Sequence, residues 1–197
     1  MTPESLLGIG VGLALAAAAG FRVFVPLLVL SLAARTGWIE LSPSFAWLAT
    51  TSVSVALATA MVLEIAAYYV PFFDNMLDAL AAPVAVLAGI VASASVMTDL
   101  PPWLQYSIAI IGAGGTAGVV HASTSLLRLK SSAATAGLGN PILATLELGG
   151  SIVIALLAVV APLLALAAVV LIVWMVAKRA TARSRANGRA AAQPNAR

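Results

Sequence analysis

Apolar stretches of about the length that crosses a bilayer follow one another along this chain. They limit what it can fold into more than any other feature. A membrane-spanning helix needs about 20 predominantly apolar residues in a row. The first stretch runs from about Leu6 to Ala34, the second from about Trp47 to Val70, the third from about Ala79 to Val96 and the fourth from Trp103 to Leu127. A last run, about Ile142 to Ala177, is too long for one upright helix and slightly short for two. Pro162 lacks a backbone donor and favours a division at Ala161–Pro162, with a single kinked helix as the other reading. Only 9% of the residues are charged, whereas a soluble domain carries about 25%. So few charges cannot cover a water-facing surface of this size, and lipid is the natural solvent for the apolar excess. The fold class is all-α, a polytopic transmembrane helix bundle of about six spans over residues 1–178, followed by a disordered basic tail at 179–197.

The N-terminal stretch is not a signal peptide on this reading. No Lys or Arg precedes Arg22, and the apolar run continues past Ala16–Gly20, the small-residue stretch that resembles a cleavage site. With no Cys, disulfides, thiol catalysis and Cys-based metal sites are excluded. Six of the ten basic residues, Lys178, Arg179, Arg183, Arg185, Arg189 and Arg197, lie at the C-terminal end. They read as a topology and retention signal against an anionic inner leaflet rather than as a nucleic-acid site. With six spans and both termini in the cytoplasm, Arg128, Lys130 and the tail give eight basic residues inside against Arg35 alone outside, as the positive-inside rule requires. Five spans would strand Arg128 and Lys130 outside. The expected location is a bacterial inner membrane. Trp38, Trp47 and Trp103 then fall at outer ends, and Trp174 and Tyr68–Tyr69 near inner ends.

Small residues recur at Gly8, Gly10, Gly12, Ala16–Gly20 and Gly112–Gly118. They make smooth helix faces that pack closely in lipid. Gly115–Gly118 lacks the Lys-Ser/Thr and the preceding strand of a phosphate loop. Its likeness to Ala17–Gly20 is either chance or the trace of a transporter-type repeat.

The residues that lipid should exclude are Arg22 in the first stretch, Glu64 in the second, His121 in the fourth and Glu147 near the start of the fifth. A charge at a helix centre costs about 2.5–3.5 kcal/mol on the insertion scale, so such groups face the bundle interior and find partners. Glu64 or Glu147 can pair with Arg22, either as a structural pair that sets helix register or as part of a site for an ion, a proton or an anionic headgroup. Pro26 cannot donate to the Arg22 carbonyl. The first span is therefore either kinked or broken between Gly20 and Pro26, with Arg22 at the join. Pro71 ends the second stretch. Asp74, Asn75 and Asp78 follow, with Asp74 and Asp78 sharing one face of a helix that Asp74 could cap. They read either as a capped interfacial turn or as an oxygen-rich cation site. Asn140 and Pro141 have the order of an N-cap and a first helical residue, which puts Glu147 about two turns in. His121, the single histidine, makes a poor metal centre. It suits a proton relay or a hydrogen bond to a neighbouring helix.

Two motifs, Gly20-Phe21-Arg22-Val23-Phe24-Val25-Pro26-Leu27-Leu28 and Leu63-Glu64 with Val70-Pro71-Phe72-Phe73-Asp74-Asn75-Met76-Leu77-Asp78, resemble the bacterial membrane family called domain of unknown function 4126. The resemblance extends to about Ala177 and implies a small multi-pass membrane protein, with no catalytic residues to carry over. The expected function is that of a transporter or channel for an ion or small polar solute, using Arg22, Glu64, Asp74, Asn75, Asp78, His121 and Glu147. The alternative is a structural or partner-binding protein whose buried charges only fix helix packing. No catalytic set, metal site or cofactor is expected. The expected partners are the bilayer, such a solute and, through the small-residue faces, further copies of the chain.

Overall fold

The computed structural model describes residues 2–69, 73–165 and, beyond these, 167, 170, 171, 174 and 178; for 73–79 it describes the backbone alone. The described residues form helices and connections without strands: α1 (Pro3–Phe21), α2 (Phe24–Arg35), a 3-10 segment (Pro43–Ala49), α3 (Thr51–Tyr68), α4 (Phe73–Val96), α5 (Pro102–Thr135) and α6 (Asn140–Val160). Among them α1, α3, α5 and α6 are long and apolar enough to cross a membrane, and α2 is a shorter apolar helix. The division expected at Ala161–Pro162 is present. Ala161 leaves helical geometry at φ −144°, and helix resumes at Pro162. The basic tail at 179–197 lies outside the described residues.

Although N-terminal, α1 is the central helix. Ala14 to Ala19 are almost wholly buried, and α1 packs against α4, α5 and α6. Its alanines and glycines make this possible. A Cβ on Gly8 would stand 3.0 Å from the Val96 carbonyl oxygen, and one on Gly20 would stand 2.6 Å from both the Ala117 carbonyl oxygen and the Val120 Cβ. The small-residue faces on α1 are thus helix-packing surfaces.

These contacts also fix direction. Gly8 lies beside Val96 and Gly12 beside Ser93, so α1 and α4 are antiparallel. The Ser42 N–H donates to the Ser95 carbonyl at 2.8 Å, so the chain leaving α2 has come back to the end of the bundle where α1 began. The expected single stretch from Leu6 to Ala34 is therefore two helices that run opposite ways. Arg22, with φ −144° and ψ 124°, is the extended residue at which the chain turns. Pro26 does not kink a helix. It occupies the third position of α2, in the first turn, where no intrahelical donor is needed. Going back across the bundle, α3 pairs with α2 through a hydrogen bond between the hydroxyls of Ser31 and Ser54 (2.7 Å) near one end and through Glu64 at the other.

Two ends result. The first carries Pro3, Ser42, the end of α4 and the start of α5, tied by the Gln105 side-chain amide donating to the Ala94 carbonyl at 2.6 Å. The second carries the α1–α2 break, the end of α3 and the starts of α4 and α6. Polarity is inverted relative to a water-soluble protein: Ile111 is 78% and Leu63 64% exposed, whereas Arg22 is 1% exposed. That pattern suits a bundle solvated by hydrocarbon.

Candidate functional site at the helix break

The turn at Arg22 places its side chain and the start of α2 in the packed interior toward the second end. The Arg22 guanidinium donates to the Ala144 carbonyl on α6 at 3.0 Å and lies 3.8 Å from the Glu147 carboxylate. The same carboxylate is held more closely by Arg128 of α5, whose Nε donates to Glu147 Oε1 at 3.1 Å and whose Nη2 pairs with Oε2. Both guanidinium carbons stand close to the centroid of the Tyr68 ring, at 3.9 Å for Arg22 and 4.0 Å for Arg128. A desolvated cation–π contact of this kind contributes about 2 kcal/mol. Of the two pairings open to Arg22, the geometry favours Glu147.

Glu64 has a different role. Its Oε1 accepts from the Val23 N–H at 2.8 Å, and its Oε2 accepts from the Phe24 N–H at 3.2 Å. A helix start inside a bilayer leaves donors that no water can satisfy and carries about half a positive charge. The Glu64 carboxylate supplies both the acceptors and the countercharge. It also lines a pocket of about 440 Å³ between α2, α3 and α4, whose other walls include Phe24, Leu63, Tyr68, Leu80 and Val84.

The remaining candidates are spread around this centre. His121 is buried on α5, with Nε2 3.4 Å from the Ser125 hydroxyl. It lines a separate pocket of about 450 Å³ with Pro83 and Val86 of α4. Asn140 is not an N-cap: α6 starts at Asn140 itself with Pro141 next, and the Asn140 side-chain amide donates to the Ser132 hydroxyl at 2.8 Å, fastening α6 to α5. Asp74, Asn75 and Asp78 lie in the first turns of α4, at the same end of the bundle as the break. That helix begins at Phe73, so Asp74 is inside it rather than capping it. The side chains of these three residues, and Pro71, lie outside the described residues. Gly20 fits where it was expected, one residue before the end of α1.

Two members of the site escape sequence reasoning. Arg128 reads as a cytoplasmic loop charge, yet it is 2% exposed and lies within α5. Leucines at 126, 127 and 129 flank it and are the available signal that it belongs to an apolar helix. Tyr68 reads as a member of an aromatic belt, and nothing local in the sequence reveals that two guanidinium groups share its ring.

A family model, that of the domain of unknown function DUF4126, matches residues 9–181. No curated protein matches the chain, and no solved structure does.

Proposed function

Because the chain belongs to the DUF4126 family, whose description states no activity, we propose a function from its own buried chemistry: it carries an ion or small polar solute across a membrane by way of the α1–α2 break. One observation supports this above the others. Charged side chains from the α1–α2 turn and from α3, α5 and α6 gather where the chain reverses after the central helix, inside an apolar bundle. Helix ends that meet polar groups within a membrane are a recurrent feature of transport sites, and ionisable groups in a membrane mark solute or proton paths. No bond-making or bond-breaking step is part of this reading.

Reconstitution into proteoliposomes tests it. Flux of a cation, an anion or protons that is lost in Glu64→Gln and Arg22→Met supports transport. A protein that is folded, oriented and inactive toward all three classes would sink it. The close packing of Arg22, Arg128, Glu147 and Tyr68 favours a second reading, in which these charges only set helix register. A defined subunit that co-purifies, together with absent flux, would select that reading.

Orientation follows from the two ends. We place the second end, with Lys130, on the cytoplasmic side of the plasma membrane, where the sixth span expected after Pro162 would also bring the C-terminal basic cluster. On this proposed orientation Pro3 lies on the outer side, an alternative to the cytoplasmic N-terminus expected from the sequence.

A further inference from the structure

Glu147 is held by side chains, but Glu64 is held by the backbone of the helix it faces, and that difference has a chemical consequence. We propose that Glu64 is a proton-binding site that latches the start of α2 onto α3 when ionised and releases it when protonated. The latch does not depend on which solute crosses, or on whether one does.

The bonding pattern suits the ionised form. Each carboxylate oxygen accepts one N–H, Oε1 from Val23 and Oε2 from Phe24. Protonation turns one of these oxygens into a neutral hydroxyl, a poorer acceptor, and the attraction to the positive helix start is lost with the charge. Both bonds weaken on loss of the charge, and the one to the hydroxyl oxygen weakens more. The far end of α2 stays anchored, because the Ser31 hydroxyl donates to the Leu48 carbonyl at 2.7 Å and bonds the Ser54 hydroxyl. Release therefore swings the start of α2 about the Ser31–Ser54 contact, and the extended Arg22 link to α1 is where the backbone would take up the motion.

Glu64 stands four residues from the end of α3, about 6 Å along a helix, and it lines the pocket between α3 and α4. Among the described side chains, the charged and titratable neighbours are Arg22 at the end of α1, Arg128 on α5, Tyr68 on its own helix, and Glu147 on α6, which is shared by the two arginines. From α2 only the two N–H groups face it. From α4 the pocket wall is Leu80, Ala81 and Val84, with Asp74 and Asp78 on the turns that precede them.

The full chain in lipid nanodiscs provides the test. The infrared carboxyl C=O band that is present in the wild type and absent in Glu64→Gln is followed as pH falls. In parallel, a nitroxide on Leu28→Cys in α2 is read by electron paramagnetic resonance; the chain has no cysteine of its own to interfere. The expected result is that the band and a shift to the mobile nitroxide spectrum appear over the same pH interval. In the Glu64→Gln background the mobile spectrum should be present at every pH. Carboxyl protonation without a nitroxide change, or a neutral-pH spectrum of Glu64→Gln identical to that of the wild type, overturns the latch. If Glu64→Gln does not fold, the band is assigned instead as the one shifted in Glu64→Asp, and coincidence of the two wild-type titrations supports the latch while separation of them overturns it. A protein without flux but with a working latch would remove only the transport reading.

Discussion

Glu147 is the carboxylate that Arg22 and Arg128 share, and this makes the three residues unequal under substitution. Glu147→Gln leaves two guanidinium groups beside one tyrosine ring without the charge between them. Removing one partner of a buried ion pair costs about 3–5 kcal/mol, and Glu147→Gln is expected in that range. Arg22→Met leaves Arg128 paired with Glu147, the closer of the two pairings, so its expected cost is the smaller of the two. Reversible unfolding in bicelles measures both. Equal costs for the two, or a larger one for Arg22→Met, would show that the triad is wrongly described. Arg22, Glu64 and Glu147 were legible in the sequence because an ionisable residue inside an apolar stretch is conspicuous. Their pairing was not, since Glu64 and Glu147 are equivalent as partners until the direction of α2 is known.

At the scale of helices, the same residue type has opposite expected effects at two sites. A Cβ at Gly20 would meet the Ala117 carbonyl oxygen and the Val120 Cβ at 2.6 Å, whereas at Gly115 nothing lies within 4 Å. Gly20→Ala must push α1 and α5 apart, an overpacking cost of about 1–3 kcal/mol. Gly115→Ala meets no obstacle and gains up to about 1 kcal/mol of helix propensity. Thermal denaturation of the two variants side by side distinguishes them, and destabilisation by Gly115→Ala would mean that this face is covered in the membrane. Pro26→Ala is expected to destabilise only through the buried methylenes it removes, by about 1–2 kcal/mol, because Pro26 lies in the first turn of α2 and kinks nothing. Apolar length found the helices, and Pro162 found the break at Ala161. The reversal at Arg22 could not be read from length, because a run of 29 apolar-dominated residues fits one long tilted helix as well as two short antiparallel ones. What decides is non-local: the Ser42–Ser95 hydrogen bond and the Gly8–Val96 approach.

For the whole molecule, that reversal changes which groups share a side of the membrane. Charge counting from the sequence placed Arg128 in a loop, but it is buried within α5, so the described basic residues left to compare are Lys130 at the second end and Arg35 at the first, with the C-terminal cluster as the deciding weight. Acidic residues do little to set orientation, so Glu4, Glu40 and Asp99 at the first end do not alter the balance. Single cysteines can read the outcome directly because the chain has none. Asp99→Cys sits in the connection between α4 and α5 at the first end, and Leu138→Cys, at a position 83% exposed in the wild type, sits between α5 and α6 at the second. In intact cells a membrane-impermeant maleimide is expected to label Asp99→Cys and to spare Leu138→Cys until the membrane is opened. The reverse pattern would place Lys130 outside. Labelling of both from one side would break the two-ended bundle itself, and with it the sheltering of Arg22 and Glu147 between helices that cross in alternate directions.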